Sequence, residues 1–129
     1  MAASVPVVEA ALSALRAALG SRLVAVVLAG SHAADRARPG SDVNLIVVAD
    51  GLPPPGPERR GMARSLGRDF LWAGHGRLTM DLLAPDEVGA AEPGDYRVLV
   101  GAGTDAVARL LPEGEFTEEG GLWTSRLPS

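Results

Sequence analysis

A glycine–serine pair closely follows the first long apolar run of the sequence. Residues 23–28 are six consecutive apolar residues, which predicts a strand buried on both faces. Gly30 and Ser31 follow, and Ser31 begins a predicted short helix or turn over residues 31–38. Glycine lets a phosphate approach the backbone, and free N–H groups at a helix start favour an anion. The same arrangement also occurs as an ordinary helix cap, so by itself it leaves both interpretations open.

Two oxygen-bearing side chains stand two residues apart on the next apolar run. Asp42 and Asn44 belong to the predicted strand 42–49, and the two-residue period of a strand places them on one face. Oxygen ligands suit magnesium, which binds through one or two carboxylates together with substrate phosphates. The structural alternative is that Asp42 is a turn residue and that Asn44 satisfies its own hydrogen bonds.

One carboxylate interrupts the third predicted strand, residues 78–83. Asp81 is the only charged residue in the run Leu-Thr-Met-Asp-Leu-Leu. A carboxylate inside an apolar strand costs free energy unless an arginine or a metal ion compensates its charge. A salt bridge and a functional site are therefore both open interpretations of Asp81.

Helical segments alternate with these strands. Apolar residues at helical spacing predict an amphipathic helix from about residue 4 to Gly20 and a second one over residues 57–72. A strand at 96–100 and a short helix at 104–111, capped by Thr104, follow. This order is typical of an α/β fold with a mainly parallel or mixed sheet, and we expect a small mixed sheet flanked by helices.

The last part of the chain has a different composition. Residues 112–129 are acidic and rich in glycine, and Phe116 and Trp123 are their only aromatic residues. We predict one domain over residues 1–111 and a C-terminal tail over residues 112–129. Because aromatic side chains are costly to leave in water, we expect the tail to pack onto the domain or onto another copy.

The composition also excludes several classes of protein. The 129 residues contain no cysteine, which excludes disulfides, thiol nucleophiles and thiolate metal sites. The N-terminus lacks the basic start of a signal peptide and no apolar run is long enough to span a membrane, so we expect a cytoplasmic protein. Arg60, Arg64 and Arg68 recur every four residues on the second helix. Without interleaved aromatic residues they favour a solvated face over a nucleic-acid surface.

The chemical features occur in an order that resembles one known family. An apolar strand leading to Gly-Ser, ten further residues, Asp-x-Asn on a second apolar strand and a lone aspartate on a third are similar to the minimal nucleotidyltransferases of the DNA polymerase β-like superfamily. The resemblance is specific over residues 23–48 and extends to residues 78–88. It implies a nucleotidyltransferase fold and the magnesium-dependent transfer of a nucleoside monophosphate from a nucleoside triphosphate to a protein or small-molecule acceptor.

The resemblance assigns the first set of residues to the phosphates of the nucleotide. Gly30 and Ser31 would hold the triphosphate, and Arg36 and Arg38 are close enough in sequence to contact it. Such contacts suit nucleotidyl transfer, which depends on positioning and on positive charge more than on covalent help from the protein.

The second set of residues would hold the metal and carry the proton transfer. By the resemblance, Asp42, Asn44 and Asp81 ligate magnesium, and Asp42 and Asp81 are the catalytic carboxylates. Asp81 would also help to deprotonate the attacking hydroxyl. The bound metal would polarise the α-phosphate and balance the charge of the leaving pyrophosphate.

Two positions depart from the family pattern. The family has a second acid where this chain has Asn44, and Arg-Gly where it has Ala34-Asp35. An amide supplies an oxygen ligand without charge, so we expect weakened magnesium binding and impaired transfer. The alternative function is a non-catalytic binding module or an antitoxin-like partner of a small helical (HEPN-type) protein, with a homo-oligomer as another possibility. A third hypothesis is an unrelated α/β domain that matches the motif by chance.

Overall fold

The computed structural model describes residues 5–29, 43–72, 78–91, 95–101, 103–111, 115–117 and 122–124. Their helices and strands are, in chain order, α1 (Val5–Leu19), β1 (Leu23–Ala29), β2 (Val43–Ala49), α2 (Pro57–Trp72), β3 (Leu78–Leu83), β4 (Asp95–Val100), α3 (Asp105–Leu110), β5 (Glu115–Thr117) and β6 (Leu122–Thr124). Short 3-10 turns at Gly20–Arg22 and Pro85–Glu87 follow α1 and β3. The predicted helix or turn at 31–38 lies outside the described residues.

The strands form one mixed sheet in the order β3-β2-β1-β4-β6-β5. β1 is antiparallel to both of its neighbours, β2 and β4, whereas β2 and β3 are parallel. Parallel neighbours need a crossover connection, and α2 supplies it. The predicted α/β class, with a small mixed sheet flanked by helices, is confirmed.

Apolar side chains on both faces of the sheet explain the long apolar runs of β1 and β2. One core contains Leu12, Leu15 and Leu19 of α1 and the strand residues that face them, with α2 packed against it. The other core lies on the opposite face and contains Ala106 and Leu110 of α3. A strand that is covered on both faces must be apolar at successive positions, which is the pattern of residues 23–28.

Gly67 lets α2 pack closely against β3. A Cβ atom at this position would lie 2.9 Å from the carbonyl oxygen of Leu78. Glycine has a low helix propensity and weakens α2. Its lack of a side chain nevertheless permits this crossover helix to approach β3, the strand that follows it. α2 and β3, which is the edge strand of the sheet, are consequently in close contact.

The predicted cap of the last helix is confirmed. The Thr104 hydroxyl oxygen accepts a hydrogen bond from the Val107 N–H at 3.3 Å and donates one to the Gly101 carbonyl at 2.6 Å. Thr104 thereby satisfies one of the free N–H groups in the first turn of α3.

Two short strands from the C-terminal segment extend the sheet. β6 pairs with β4, with Trp123 opposite Tyr96, and β5 pairs with β6. The backbone of this segment is therefore joined to the main sheet, while the domain boundary at residue 111 stays a prediction. No helix in the described part of the chain is long and apolar enough to cross a lipid bilayer.

Two glycines on one loop allow a direct test of the packing between β1 and β4. Gly101 and Gly103 have nearly equal positive φ angles, 87° and 88°. A Cβ at Gly101 would lie 2.4 Å from the Val24 carbonyl oxygen, whereas a Cβ at Gly103 would meet nothing within 4 Å. We expect Gly103→Ala to lower the free energy of unfolding by about 1 kcal/mol through backbone strain alone. Gly101→Ala adds a steric clash and should cost about 3 kcal/mol or more.

Urea denaturation of the two variants and the wild type measures both values. Equal costs for the two substitutions would contradict the close approach of Gly101 to β1.

Candidate functional site

Asn44 and Asp81 lie on the same face of the parallel strand pair. The register of β2 and β3 places Asn44 opposite Thr79 and Ile46 opposite Asp81. The alternate residues of both strands, such as Leu45 and Leu82, enter the core formed with α1 and α2. Asn44 and Asp81 therefore face the other side, where α3 packs, and an offset of two residues between adjacent strands separates their Cα atoms by roughly 8 Å.

An open cleft of about 530 Å³ lies on this face, and both residues line it. Thr79 accompanies them at the polar part of the cleft. Apolar residues, among them Ile46 and Leu83, line the remainder of the cleft. The two candidate residues from separate strands thus share one concave surface.

Asp81 is exposed, although the sequence suggested a carboxylate inside an apolar strand. Because β3 is the edge strand and the cleft is open, solvent reaches this carboxylate and burial imposes no large cost. No described residue forms an ion pair or a side-chain hydrogen bond with Asp81. The salt-bridge interpretation therefore finds no partner among the described residues.

The side chain of Asn44 is partly buried at the floor of the cleft. None of the described residues hydrogen-bonds to its amide. Since an amide carries both donors and an acceptor, the described residues leave its polar atoms without a side-chain partner.

The remaining residues of the predicted site lie outside the described residues. These are Gly30, Ser31, Arg36, Arg38 and Asp42. The positions that flank them are described: β1 ends at Ala29, which lines the cleft and pairs with Asn44 near the start of β2. Gly30 and Asp42 are thus joined by the chain to residues at the cleft, and their convergence there stays a prediction.

The chemistry of the described donors suits magnesium. The amide oxygen of Asn44 and the carboxylate of Asp81 are hard oxygen ligands, and magnesium commonly takes one or two carboxylates and completes its shell with water and phosphate. The described residues contain no cluster of three or more histidine, cysteine, aspartate or glutamate side chains. Among the described residues, Asn44 and Asp81 therefore supply two oxygen ligands of the kind that magnesium takes.

Arg59 is a buried residue that the sequence pattern did not single out. Its Nε donates to the Pro53 carbonyl at 2.9 Å, and its Nη1 donates to the Leu82 carbonyl at 3.4 Å. Nη1 also forms a salt bridge with Glu87, whose carboxylate accepts from the Ala84 N–H at 2.8 Å. The three arginines of the stripe, Arg60, Arg64 and Arg68, are exposed, in agreement with a solvated helix face.

This salt bridge fixes one end of a wall of the cleft. Arg59 belongs to α2, on one side of the sheet, while Glu87 lies two residues before the segment 89–91, which lines the cleft on the other side. At the other end of the segment, the Ala91 N–H donates to the Leu110 carbonyl at 2.8 Å. The cleft wall, residues 89–91, is consequently anchored on both sides.

The environment of Glu87 favours its charged form. The hydrogen bond from Arg59 is the largest cause, and together with the Ala84 N–H it holds the pKa of Glu87 below the ordinary value of 4.5. A carboxyl group whose pKa is lower in the folded state stabilises the fold at pH values above its unfolded pKa. That contribution is lost as the pH falls through the lowered pKa.

No protein-family model and no curated protein matches this sequence. Among solved structures, the chain is similar to a toxin–antitoxin crystallised with AMP-PNP, at 17% identity and a TM-score of 0.45, over 63% of this chain and 60% of that one. It is also similar to a mutant of the toxin–antitoxin MntA–HpeT, at 16% identity and a TM-score of 0.43, over 63% of this chain and 58% of that one. The match thus spans about three fifths of the length of each neighbour.

The Arg59–Glu87 contact predicts how the stability of the fold decreases at acidic pH. Glu87→Gln removes the charge, so its thermal midpoint should lie below that of the wild type by on the order of 5 °C at neutral pH. The difference should stay constant down to a pH of about 5 and shrink at lower pH, as Glu87 becomes protonated in the wild type. Circular-dichroism melting curves between neutral and strongly acidic pH measure it.

Glu9→Gln is the matched control, because Glu9 is an exposed residue of α1. It should leave the profile unchanged. A Glu87→Gln profile parallel to that of the wild type at every pH would contradict the assigned role of Glu87.

Proposed function

We propose that this chain is a nucleotidyltransferase-fold protein that binds a nucleoside triphosphate with magnesium in the cleft beside Asn44 and Asp81. One observation carries the proposal: two residues that the motif selects from separate strands line the same open cleft, on the same face of the sheet. Neither side chain is engaged by another described residue. The described part of the chain therefore leaves both side chains open to a ligand.

The proposed roles follow from the chemistry of each side chain. Asp81 and Asn44, with Asp42, hold the magnesium ion, which when bound polarises the α-phosphate and offsets phosphate charge. Asp81 also accepts the proton of an attacking hydroxyl, because it is exposed at the cleft and can reach a bound acceptor.

The triphosphate is proposed to lie against the segment that joins β1 to β2. Gly30 and Ser31 supply backbone N–H groups and a hydroxyl donor to the phosphate oxygens. Arg36 and Arg38 supply positive charge to the same anion. The support for this assignment is that the segment joins two strands whose residues Ala29 and Asn44 both line the cleft.

The neutral amide of Asn44 limits the proposed transfer. A divalent ion in a partly desolvated cleft loses about 1–3 kcal/mol of attraction when one carboxylate ligand is replaced by an amide. We therefore propose weak magnesium–nucleotide binding and little transfer. The same observation favours the second candidate function, a non-catalytic binding module or an antitoxin-like partner of a small helical protein.

Two substitutions at the cleft test nucleotide binding. Asn44→Asp restores a charge at nearly constant size and should tighten magnesium-dependent ATP binding by about tenfold or more. Asp81→Asn removes a charge and should weaken that binding by a comparable factor. Calorimetric titration with ATP, with and without magnesium, measures both changes.

Asp50→Asn is the matched control, since Asp50 is exposed and lies beyond the opposite end of β2. It should bind as the wild type does. Equal ATP affinity in all four proteins, or ATP binding that does not depend on magnesium, would refute the assignment of Asn44 and Asp81 to the site.

A transfer assay separates the two candidate functions. Mass spectrometry of the protein and of a co-expressed helical partner, after incubation with ATP and magnesium, detects an added nucleoside monophosphate. Transfer that increases in Asn44→Asp supports an impaired enzyme. Tight nucleotide or partner binding with no transfer in either protein supports the binding module.

A further inference from the structure

The cleft continues beyond its polar part into an apolar end. Along the same face of the sheet, Ile46 follows Asn44 and Leu83 follows Asp81, each by two residues. Both apolar side chains are partly exposed and line the cleft, together with Leu110 of α3. The cleft therefore presents polar oxygen atoms and an apolar floor next to each other.

The cleft wall beside this floor carries almost no side chain. Gly89 and Ala90 are exposed, and a Cβ at Gly89 would meet nothing within 4 Å. No described residue hydrogen-bonds to the backbone N–H or carbonyl of either residue. The wall thus offers backbone donors and acceptors that the described residues leave unpaired, at the rim of an apolar surface.

These features match the two kinds of surface that a planar heterocycle presents. Its faces are apolar and pack against branched aliphatic side chains, while its edge carries hydrogen-bond donors and acceptors. Ile46 and Leu83 can contact the faces, and the backbone groups of Gly89 and Ala90 can pair with the edge. A larger side chain at either wall position would occupy the space that such a ring needs.

We infer that the apolar end of the cleft binds the nucleobase of the bound nucleotide, with Ile46, Leu83 and the backbone of Gly89–Ala90 as the base-recognising elements. This inference rests on the proposed function, which puts the phosphates at the polar part of the same cleft. The cleft volume of about 530 Å³ lies in the range of small-molecule sites.

The anchors at the two ends of the wall explain why this surface can be specific. Glu87 is tied to Arg59 and Ala91 is tied to Leu110, so the backbone groups between them are held in position before a ligand arrives. A preorganised surface loses less conformational entropy on binding than a loop that must first become ordered.

Filling the apolar end tests the inference against a ligand that has no base. Ala90→Leu should weaken magnesium–ATP binding by about tenfold or more, because the added side chain occupies the ring's place. It should leave the affinity for magnesium–tripolyphosphate unchanged, because that ligand contacts only the polar part. Calorimetric titration measures both ligands, and the matched control is Ala108→Leu, an exposed position of α3 outside the cleft.

The outcomes separate this inference from the proposed function. If the wild type binds ATP and Ala90→Leu binds it equally well, or loses both ligands alike, the base subsite is wrong and the proposed nucleotide site stands. If the wild type binds neither ATP nor tripolyphosphate, the proposed function itself fails, and the subsite fails with it.

A second measurement on the wild type does not depend on the variant folding. In amide NMR spectra, ATP should shift the Gly89 and Ala90 resonances, while tripolyphosphate should leave them in place. Shifts of equal size with the two ligands, or none with ATP under conditions where calorimetry detects binding, would overturn the assignment of the base to this wall.

Discussion

The parallel pairing of β2 and β3 is the interaction on which the cleft depends. Its register turns Leu45 and Leu82 into the core with α1 and α2, and so turns Asn44 and Asp81 to the opposite face. A slip of one residue would reverse every side chain of β3 and bury the Asp81 carboxylate among aliphatic groups. The cost of burying that charge and of exposing two leucines selects the observed register.

The sequence predicted the elements well where hydrophobic periodicity was long or a cap was present. The run 23–28, the helix 57–72 and the Thr104 cap all correspond to observed features. It also selected Asn44 and Asp81, which share one cleft. Their roles stay predictions, as do those of Gly30 and Asp42, which lie outside the described residues. The strand order of the sheet could not be read from the sequence, because pairing depends on contacts between distant segments.

Arg59 illustrates what local sequence patterns do not reveal. It stands beside Arg60 in the sequence, yet Arg59 is buried and Arg60 is exposed. Its ionic partner, Glu87, is 28 residues away in the chain. Asp81 shows a second limit, since the apolar sequence around it left a salt bridge and a functional site both open. The structure adds that it stands on an edge strand beside an open cleft, where the carboxylate is exposed.

The hydrogen bond from Arg59 to the Leu82 carbonyl has a consequence for solubility. Strands at the border of a sheet carry backbone groups that can recruit a strand from a second molecule and start aggregation. β3 is such a border strand, and Arg59 occupies one of its carbonyl groups with a bulky, charged side chain. The residue that anchors the cleft wall thus also removes one backbone acceptor that a strand of a second molecule could otherwise use.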